Sequence, residues 1–371
     1  MTEFARDTVN SDTDHRRAPP VLHWLPAVFL LGAVAIGAGA ALVSPGSREF
    51  PTGQDVVTGK WMMAYEKNLD AKVPWRDPSV KLWGGLTYHL FGEAREGAVV
   101  GTDGWLYTTE EFQAAAEDTV EIAVKVEYIR QVRDKLAKDG AHLVVALVPA
   151  KTRIYPEHLG HLLVPAVKSN VYENFRQRLE AAGVPAPDLF RAMQAEKGEG
   201  ARSLFLRTDT HWTPYGAAVA ARTLAPAVKA LRPDLPPTAY HESAGAPVAR
   251  RGDLLRYVPV PEGVGPAPDT VREPEYTRTD EGGSGLLGDV TLAVTLVGTS
   301  YSAETKDNVW HFGAALAQAL GTEVLNAAQE GKGPIVPMRE YLSSQDRRDN
   351  PPQIVVWEIP ERFLRISYPK E

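Results

Sequence analysis

The sequence predicts an α/β fold, a mostly parallel sheet with helices on both faces, preceded by one N-terminal transmembrane helix. Three observations carry this. The continuous apolar run Leu143–Val148 and the largely apolar stretch Val290–Val297 suit strands buried on both faces. Segments with apolar residues three or four apart lie between them, and strand and helix signals alternate along the chain. A charge-free stretch from Leu25 to Val43 precedes them all.

That stretch holds roughly 19 residues, which at 1.5 Å each nearly spans a ~30 Å hydrocarbon layer. Trp24 sits at its near edge, where an amphipathic ring favours the interface. Residues 1–20 are read as cytoplasmic, 21–43 as a signal-anchor, 44–57 as a linker rich in Ser, Pro, Gly and charge, and 58–371 as a domain outside the inner membrane. Cleavage after a signal peptide is the alternative, because Ala38-Gly39-Ala40 offers a small-residue cleavage site.

Within the domain, Ile122, Val126, Ile129, Val132 and Leu136 mark a helix, and Leu143–Val148 a strand. Ser169 is placed to cap a helix whose inner face holds Tyr172, Phe175 and Leu179. Thr213 as N-cap and Pro214 as first helical residue open a helix running to Leu231. Ala239–Leu286, rich in Pro, Gly and charge, reads as a long irregular excursion. Val290–Val297 is the next strand, followed by a helix over Asn308–Leu320. Short strands at Glu323–Leu325 and Gln353–Trp357 flank a helix around Met338–Leu342.

The 371 residues are 44% hydrophobic and 23% charged, as expected of a chain with a packed core. A net charge of −7 without a basic cluster gives no basis for nucleic-acid binding. An acidic polysaccharide would have to be held locally. The absence of cysteine excludes thiol catalysis, disulfides and thiolate metal sites.

Two segments carry chemistry. Val294–Val297 leads into Gly298-Thr299-Ser300, a serine just beyond a strand end, where open α/β sheets bind ligands. Nearby backbone N–H groups, those of Ser300 and Tyr301, suit the oxygen on which charge develops in acyl transfer. The plain alternative is a polar turn capping the strand. Asp209-Thr210-His211 supplies the missing base. Two residues apart in an extended stretch, Asp209 and His211 share a face, and the carboxylate can fix the imidazole tautomer. A metal site built from Asp209, His211, His158 and His161 is the competing reading. It is disfavoured by the lack of a His-Glu-x-x-His helix or a second carboxylate cluster.

These residues, and others, resemble the AlgJ/AlgX family of alginate O-acetyltransferases, SGNH-hydrolase-like proteins of the bacterial periplasm. The further matches are Gly101-Thr102-Asp103-Gly104-Trp105-Leu106-Tyr107, Val148-Pro149-Ala150-Lys151 with Tyr155-Pro156-Glu157, and Gly252-Asp253-Leu254-Leu255. Gly331-Lys332-Gly333-Pro334 leading to Tyr341-Leu342, and the closing Trp357-Glu358-Ile359-Pro360-Glu361-Arg362, complete the set. The resemblance runs from Thr58 to the C-terminus and is nearer the AlgJ branch, which keeps an N-terminal anchor and lacks the C-terminal carbohydrate-binding module of AlgX.

The resemblance implies a circularly permuted SGNH-like fold and a catalytic triad of Ser300, His211 and Asp209. It also implies no cofactor, a polysaccharide acceptor, and partners that include a membrane-bound O-acyltransferase and other exopolysaccharide acetylation proteins. Gly-Thr-Ser replaces the Gly-Asp-Ser of other SGNH hydrolases, and Asp and His stand two apart where those enzymes have three. No Gly-x-Asn-Asp oxyanion block is evident. The Tyr341 hydroxyl is one candidate substitute, with a packed helix tyrosine as its alternative. Lys151 either lines the site or is a surface lysine. Trp105 and Tyr107 are read as core, with sugar platforms as the alternative. A membrane-anchored scaffold or polysaccharide-binding module with a vestigial triad is the non-enzymatic reading.

Overall fold

The computed structural model describes residues 20–43, 52–53, 55–72, 75–115, 117–198, 200–261, 263–279, 292–305 and 310–368. Residues 1–19 and most of the 44–57 linker lie outside these, as do the expected strand start at Val290 and helix start at Asn308. The chain divides into two compact units, Met1–Leu82 and Trp83–Glu371.

The first unit contains α1 (Pro20–Val43), α2 (Lys60–Lys72) and the start of α3 (Arg76–Phe91). The α1 sequence has no Asp, Glu, Lys or Arg over its 24 residues, although not all of its side chains are described. Among the described residues, no helix is long and apolar enough to cross a membrane. In α2, Trp61 and Tyr65 stack with ring centres 5.5 Å apart, one helical turn from each other.

The second unit runs through β1 (Ala98–Val100), β2 (Leu106–Thr108), α4 (Asp118–Lys138), β3 (His142–Val148), the single turn α5 (Lys151–Ile154), α6 (Val171–Ala181) and α7 (Leu189–Glu196). It continues through α8 (Pro214–Leu231), β4 (Tyr240–Arg250), β5 (Asp269–Arg278), β6 (Val294–Val297), α9 (Phe312–Leu320), β7 (Val324–Asn326), α10 (Ile335–Ser343), α11 (Gln345–Asp349) and β8 (Ile354–Pro360). The central sheet has the order β3-β8-β6-β7, and every pair in it is parallel. Its middle strands are buried throughout, so their sequences are mostly apolar, with Thr295 in β6 and Glu358 in β8 as the polar exceptions.

Helices cover both faces. On one, α7, α8 and α9 pack against Val144, Ala146, Val294, Leu296 and Val356. On the other, α4, α6 and α10 pack against Val145, Leu147, Val355 and Trp357. Helix α8 begins as its sequence dictates: Thr213 accepts a hydrogen bond from the Gly216 N–H, and Pro214 holds the first position. Its Ala217, Ala218, Ala220 and Ala221 are all buried, short side chains that let neighbouring backbones come close.

Several expectations need correction. The Ala239–Leu286 excursion contains a long antiparallel ribbon, β4 against β5, with an irregularity between Ala244 and Pro247. Its side chains are mostly exposed, so no apolar pattern announces it. The N-cap of α6 is Asn170, while Ser169 ends the preceding turn. The short pair β1–β2 was not anticipated.

Because the central strands are parallel, their carboxyl ends share one edge. Lys151 follows β3, Ser300 follows β6, and Glu361 follows β8 at that edge.

Candidate active site

Two loops build the site. The first, residues 204–213, is a tight excursion closed by Leu206 N–H to His211 O at 3.2 Å and Thr213 N–H to Leu204 O at 2.9 Å. At its tip the Asp209 Oδ1 accepts the His211 backbone N–H at 2.9 Å and lies 2.6 Å from His211 Nδ1. The second loop is the turn after β6. There Ser300 Oγ lies 2.7 Å from His211 Nε2. With the Nδ1 proton facing the carboxylate, Nε2 is left to accept the serine hydroxyl proton. Asp209 and His211 are buried and Ser300 is half-buried.

The acid is tuned for this position. Burial opposes its ionisation, but the His211 charge and N–H donors from His211 and Asp253 outweigh that and hold the Asp209 carboxyl down to about 2. The Asp253 N–H reaches Asp209 Oδ2 at 2.8 Å. Asp253 in turn accepts Thr210 N–H at 2.9 Å and Thr210 Oγ1–H at 2.7 Å. Burial, and then the neighbouring Asp209 charge, raise the Asp253 carboxyl. Gly252 permits this packing: a Cβ there would lie 2.0 Å from Thr208 O.

Lys151 is not a surface lysine. It is buried, and its ammonium donates to the carbonyls of Leu106 at 2.6 Å, Arg207 at 2.8 Å and Asp209 at 2.9 Å. Burial lowers it to about 8 against the opposing carboxylates Asp269, Glu111, Asp209 and Asp253. It therefore fixes the backbone of the Asp-His loop and leaves no donor for a substrate. The indole of Trp105 and the ring of Tyr107, both buried as expected of core residues, lie 5.0 and 5.3 Å from its nitrogen.

Tyr301 joins the two loops. Its hydroxyl donates to Thr210 O, its own carbonyl accepts Trp212 Nε1–H at 2.9 Å, and its ring centre lies 4.8 Å from that of His211. Burial pushes the phenol far up, so it remains a donor. Its side chain is thus a brace, and its backbone N–H points at Thr299 Oγ1 at 3.3 Å. The Ser300 backbone N–H has no acceptor among the described residues.

Tyr341 is not at this site. It packs with Met338, Val355 and Trp357 on the opposite face of the sheet, and its hydroxyl donates to Thr295 Oγ1 at 3.0 Å. It is a packed helix tyrosine and cannot reach an oxyanion at Ser300.

Asp209, His211 and Asp253 bring possible metal-ligand atoms within 4.8 Å of one another. Both imidazole nitrogens already face Asp209 and Ser300, and both Asp253 oxygens accept from Thr210. The donor set is spent on hydrogen bonds. His158 pairs with Asp103 and stacks on Trp105, away from this group.

Three contributors escaped assignment from sequence. Asp253 and Glu358 stand in motifs that drew notice without a role, and nothing near Trp310 signalled that its indole would stack 5.3 Å from the His211 ring. Glu358 accepts the Thr299 N–H at 2.7 Å and the hydroxyls of Thr299 and Ser302, each at 3.0 Å.

With this geometry in hand, comparison with known proteins is specific. Residues 98–361 match the family described as SGNH hydrolase-like domain, acetyltransferase AlgX. The chain is 42% identical over 319 residues to the probable alginate O-acetylase AlgJ of Pseudomonas syringae pv. tomato, covering 83% of this chain and 80% of that protein. It is 37% identical over 354 residues to the probable alginate O-acetylase AlgJ of Pseudomonas aeruginosa, covering 92% and 89%. The solved O-acetyltransferase domain of Pseudomonas putida AlgJ superposes with a TM-score of 0.66 at 39% identity, over 74% of this chain and 94% of that one.

Proposed function

The chain belongs to the SGNH hydrolase-like acetyltransferase family of AlgX and AlgJ, and from that membership we propose that it O-acetylates alginate or a closely related exopolysaccharide through Ser300, His211 and Asp209. It is an acetyltransferase by family. The observation that carries the residue roles is the unbroken line from Asp209 Oδ1 through His211 to Ser300 Oγ, at 2.6 and 2.7 Å.

In the first half-reaction Ser300 Oγ attacks the carbonyl carbon of an acetyl donor while His211 Nε2 takes the hydroxyl proton. Asp209 holds the Nδ1–H and stabilises the imidazolium. The Ser300 N–H, which has no acceptor among the described residues, is the proposed donor to the oxyanion. Collapse of the tetrahedral intermediate expels the donor group, which takes the proton from His211 and leaves an acetyl ester on Ser300. In the second half-reaction Nε2 deprotonates a sugar hydroxyl, whose oxygen attacks the acetyl-enzyme and returns Ser300 with its proton. Acetylesterase activity is the same sequence with water in place of the sugar.

The decisive test uses the full chain in detergent micelles with nitrophenyl acetate as donor. Ser300→Ala and His211→Ala are each expected to lower kcat by about 10³-fold or more. Turnover at the native rate in Ser300→Ala removes the serine from the mechanism. Adding mannuronate oligosaccharides then separates the two outcomes: acetylated glycan identifies a transferase, and acetate alone an esterase.

The reading extends to place and partners. A membrane-anchored enzyme acting in the periplasm is supported by the charge-free α1 sequence and the exposure of Phe29, Leu31 and Ile36 along that helix. Such an enzyme needs acetyl groups delivered across the inner membrane, which suits a membrane-bound O-acyltransferase as donor partner, together with the other alginate acetylation proteins. Retention of the chain in membranes after alkaline extraction is the expected result. Release as a soluble, shortened chain contradicts the anchor and indicates signal cleavage.

A further inference from the structure

We propose that Glu358 is a positioning residue for the nucleophile, a buried carboxylate that clamps the Thr299–Ser302 turn from below and so fixes Ser300 Oγ against His211. The inference rests on the reading of Ser300 as nucleophile. It gives a purpose to the closing Trp357-Glu358-Ile359-Pro360-Glu361-Arg362 motif, none of which the triad chemistry uses.

Strand geometry brings the carboxylate there. β6 and β8 are parallel, with Val297 opposite Trp357. Glu358 is therefore the first residue of β8 beyond the last paired residue of β6, level with the start of the nucleophile turn. Side chains alternate along a strand. Trp357 enters the core on the α4–α6–α10 side, so Glu358 shares the face of Val356, the face that carries His211 and Tyr301.

The clamp grips both flanks of the nucleophile. Glu358 Oε2 accepts the Thr299 N–H at 2.7 Å, the Thr299 hydroxyl at 3.0 Å and the Ser302 hydroxyl at 3.0 Å. Thr299 and Ser302 bracket Ser300 and Tyr301, so two points of attachment fix the turn between them. The Thr299 hydroxyl that donates to Glu358 also receives the Tyr301 N–H at 3.3 Å, which extends the clamp to the residue after the nucleophile. Gly298 makes room for it: a Cβ there would stand 2.4 Å from Glu358 Oε2 and 3.0 Å from Ser302 Oγ. Serine enzymes with Gly-Asp-Ser carry the acid inside the motif. Here Thr299 takes that place, and the acid comes from the neighbouring strand.

A carboxylate is a costly clamp. Glu358 is fully buried, and no Lys, Arg or His forms an ion pair with it among the described residues. Burial pushes it up to about 7, against the pull of the Thr299 and Ser302 donors and the His211 charge. The titratable groups facing it are His211 and Tyr301, and the β3 residue paired alongside is the neutral Ala146. An apolar residue at this inward position would avoid the desolvation cost, but it could not accept three hydrogen bonds at once.

The test compares the native full chain with Glu358→Gln, which keeps shape and removes the charge, and Thr299→Val, which removes one hydroxyl of the clamp. Both are assayed with nitrophenyl acetate and by the rate at which a sulfonyl fluoride labels Ser300. Displacing a nucleophile by a fraction of an ångström costs rate more than binding, so kcat and labelling rate are expected to fall about tenfold or more in Glu358→Gln. KM should stay within about twofold and the unfolding midpoint close to native, a split that a merely structural role would not give. Thr299→Val should show a smaller loss of the same kind.

Native kcat and labelling in Glu358→Gln overturns the proposal, as does a loss confined to KM. If Glu358→Gln does not fold, Thr299→Val decides alone, and native kcat in that variant overturns it. Ser300→Ala in the same assay separates the failures. An active Ser300→Ala defeats the nucleophile reading itself, whereas an inactive Ser300→Ala beside a fully active Glu358→Gln defeats only the clamp.

Discussion

His211 Nε2 and Ser300 Oγ lie 2.7 Å apart across 89 residues of chain, and neither loop holds that distance alone. Lys151 fixes the carbonyls of Arg207 and Asp209 behind the imidazole. Asp253 fixes Thr210 and Asp209 from the side. Tyr301 and Trp212 tie the two loops directly, through Thr210 O and Tyr301 O. Each brace makes a separate statement about what a substitution will do.

Asp209→Asn retains the size of the side chain but offers Nδ1 an amide in place of a carboxylate. The imidazole then loses both its tautomer preference and the partner of its charged form. A fall in kcat of about 10³-fold or more is expected, with KM little changed. Steady-state ester kinetics check it, and a kcat within tenfold of native would show that Asp209 does not orient the base.

Acid should weaken the fold through the same carboxyl. Asp209 is held down to about 2 in the folded chain, below the ~3.9 of an unfolded aspartate. Its contribution is present above the unfolded value and is lost as pH falls toward 2, because the unfolded chain then binds the proton first. That share of the stability is expected to disappear between pH 5 and pH 2. Urea unfolding of native and Asp209→Asn chains at both pH values isolates this share, and the variant should lose less.

Lys151→Met keeps the stem and removes the ammonium, stranding the carbonyls of Leu106, Arg207 and Asp209. A loss of about 3 kcal/mol in unfolding free energy is expected, since buried polar groups without partners are costly. Catalysis should fall as well, because the loop that carries His211 is no longer fixed. Denaturant melts and ester kinetics on the one variant measure both effects.

Tyr341→Phe should cost only its hydrogen bond to Thr295, about 1 kcal/mol. Native kcat is expected, because the hydroxyl lies across the sheet from Ser300. A large loss of kcat at full stability would restore this tyrosine to the reaction.

Much of this was legible in the chain, for physical reasons. Strands buried on both faces are mostly apolar, so β3, β6 and β8 announce themselves in spite of Thr295 and Glu358. Thr213-Pro214 marks a helix start because cap and first residue have few other uses together. Asp209 and His211 stand close enough in sequence for local geometry to pair them. The remaining parts depend on distant partners. Glu358 reads as a strand residue until β8 is laid beside β6, and Asp253 gains its role only when Gly252 meets Thr208. Lys151 was left between lining the site and lying at the surface because lysines are seldom buried, and three convergent carbonyls cannot be seen in a sequence. Tyr341 was left open between the site and the core because a helix residue's face is fixed by what the helix packs on. The β4–β5 ribbon lacks an apolar face, so its Pro- and Gly-rich sequence resembled a loop.

The central claim is that acetyl groups pass through the oxygen of Ser300. Incubating the full chain with an acetyl ester, quenching in acid and mapping its peptides by mass tests this directly. The account predicts one acetylated peptide containing Ser300, absent in Ser300→Ala. An acetyl group on another side chain, or continued turnover by Ser300→Ala, contradicts it.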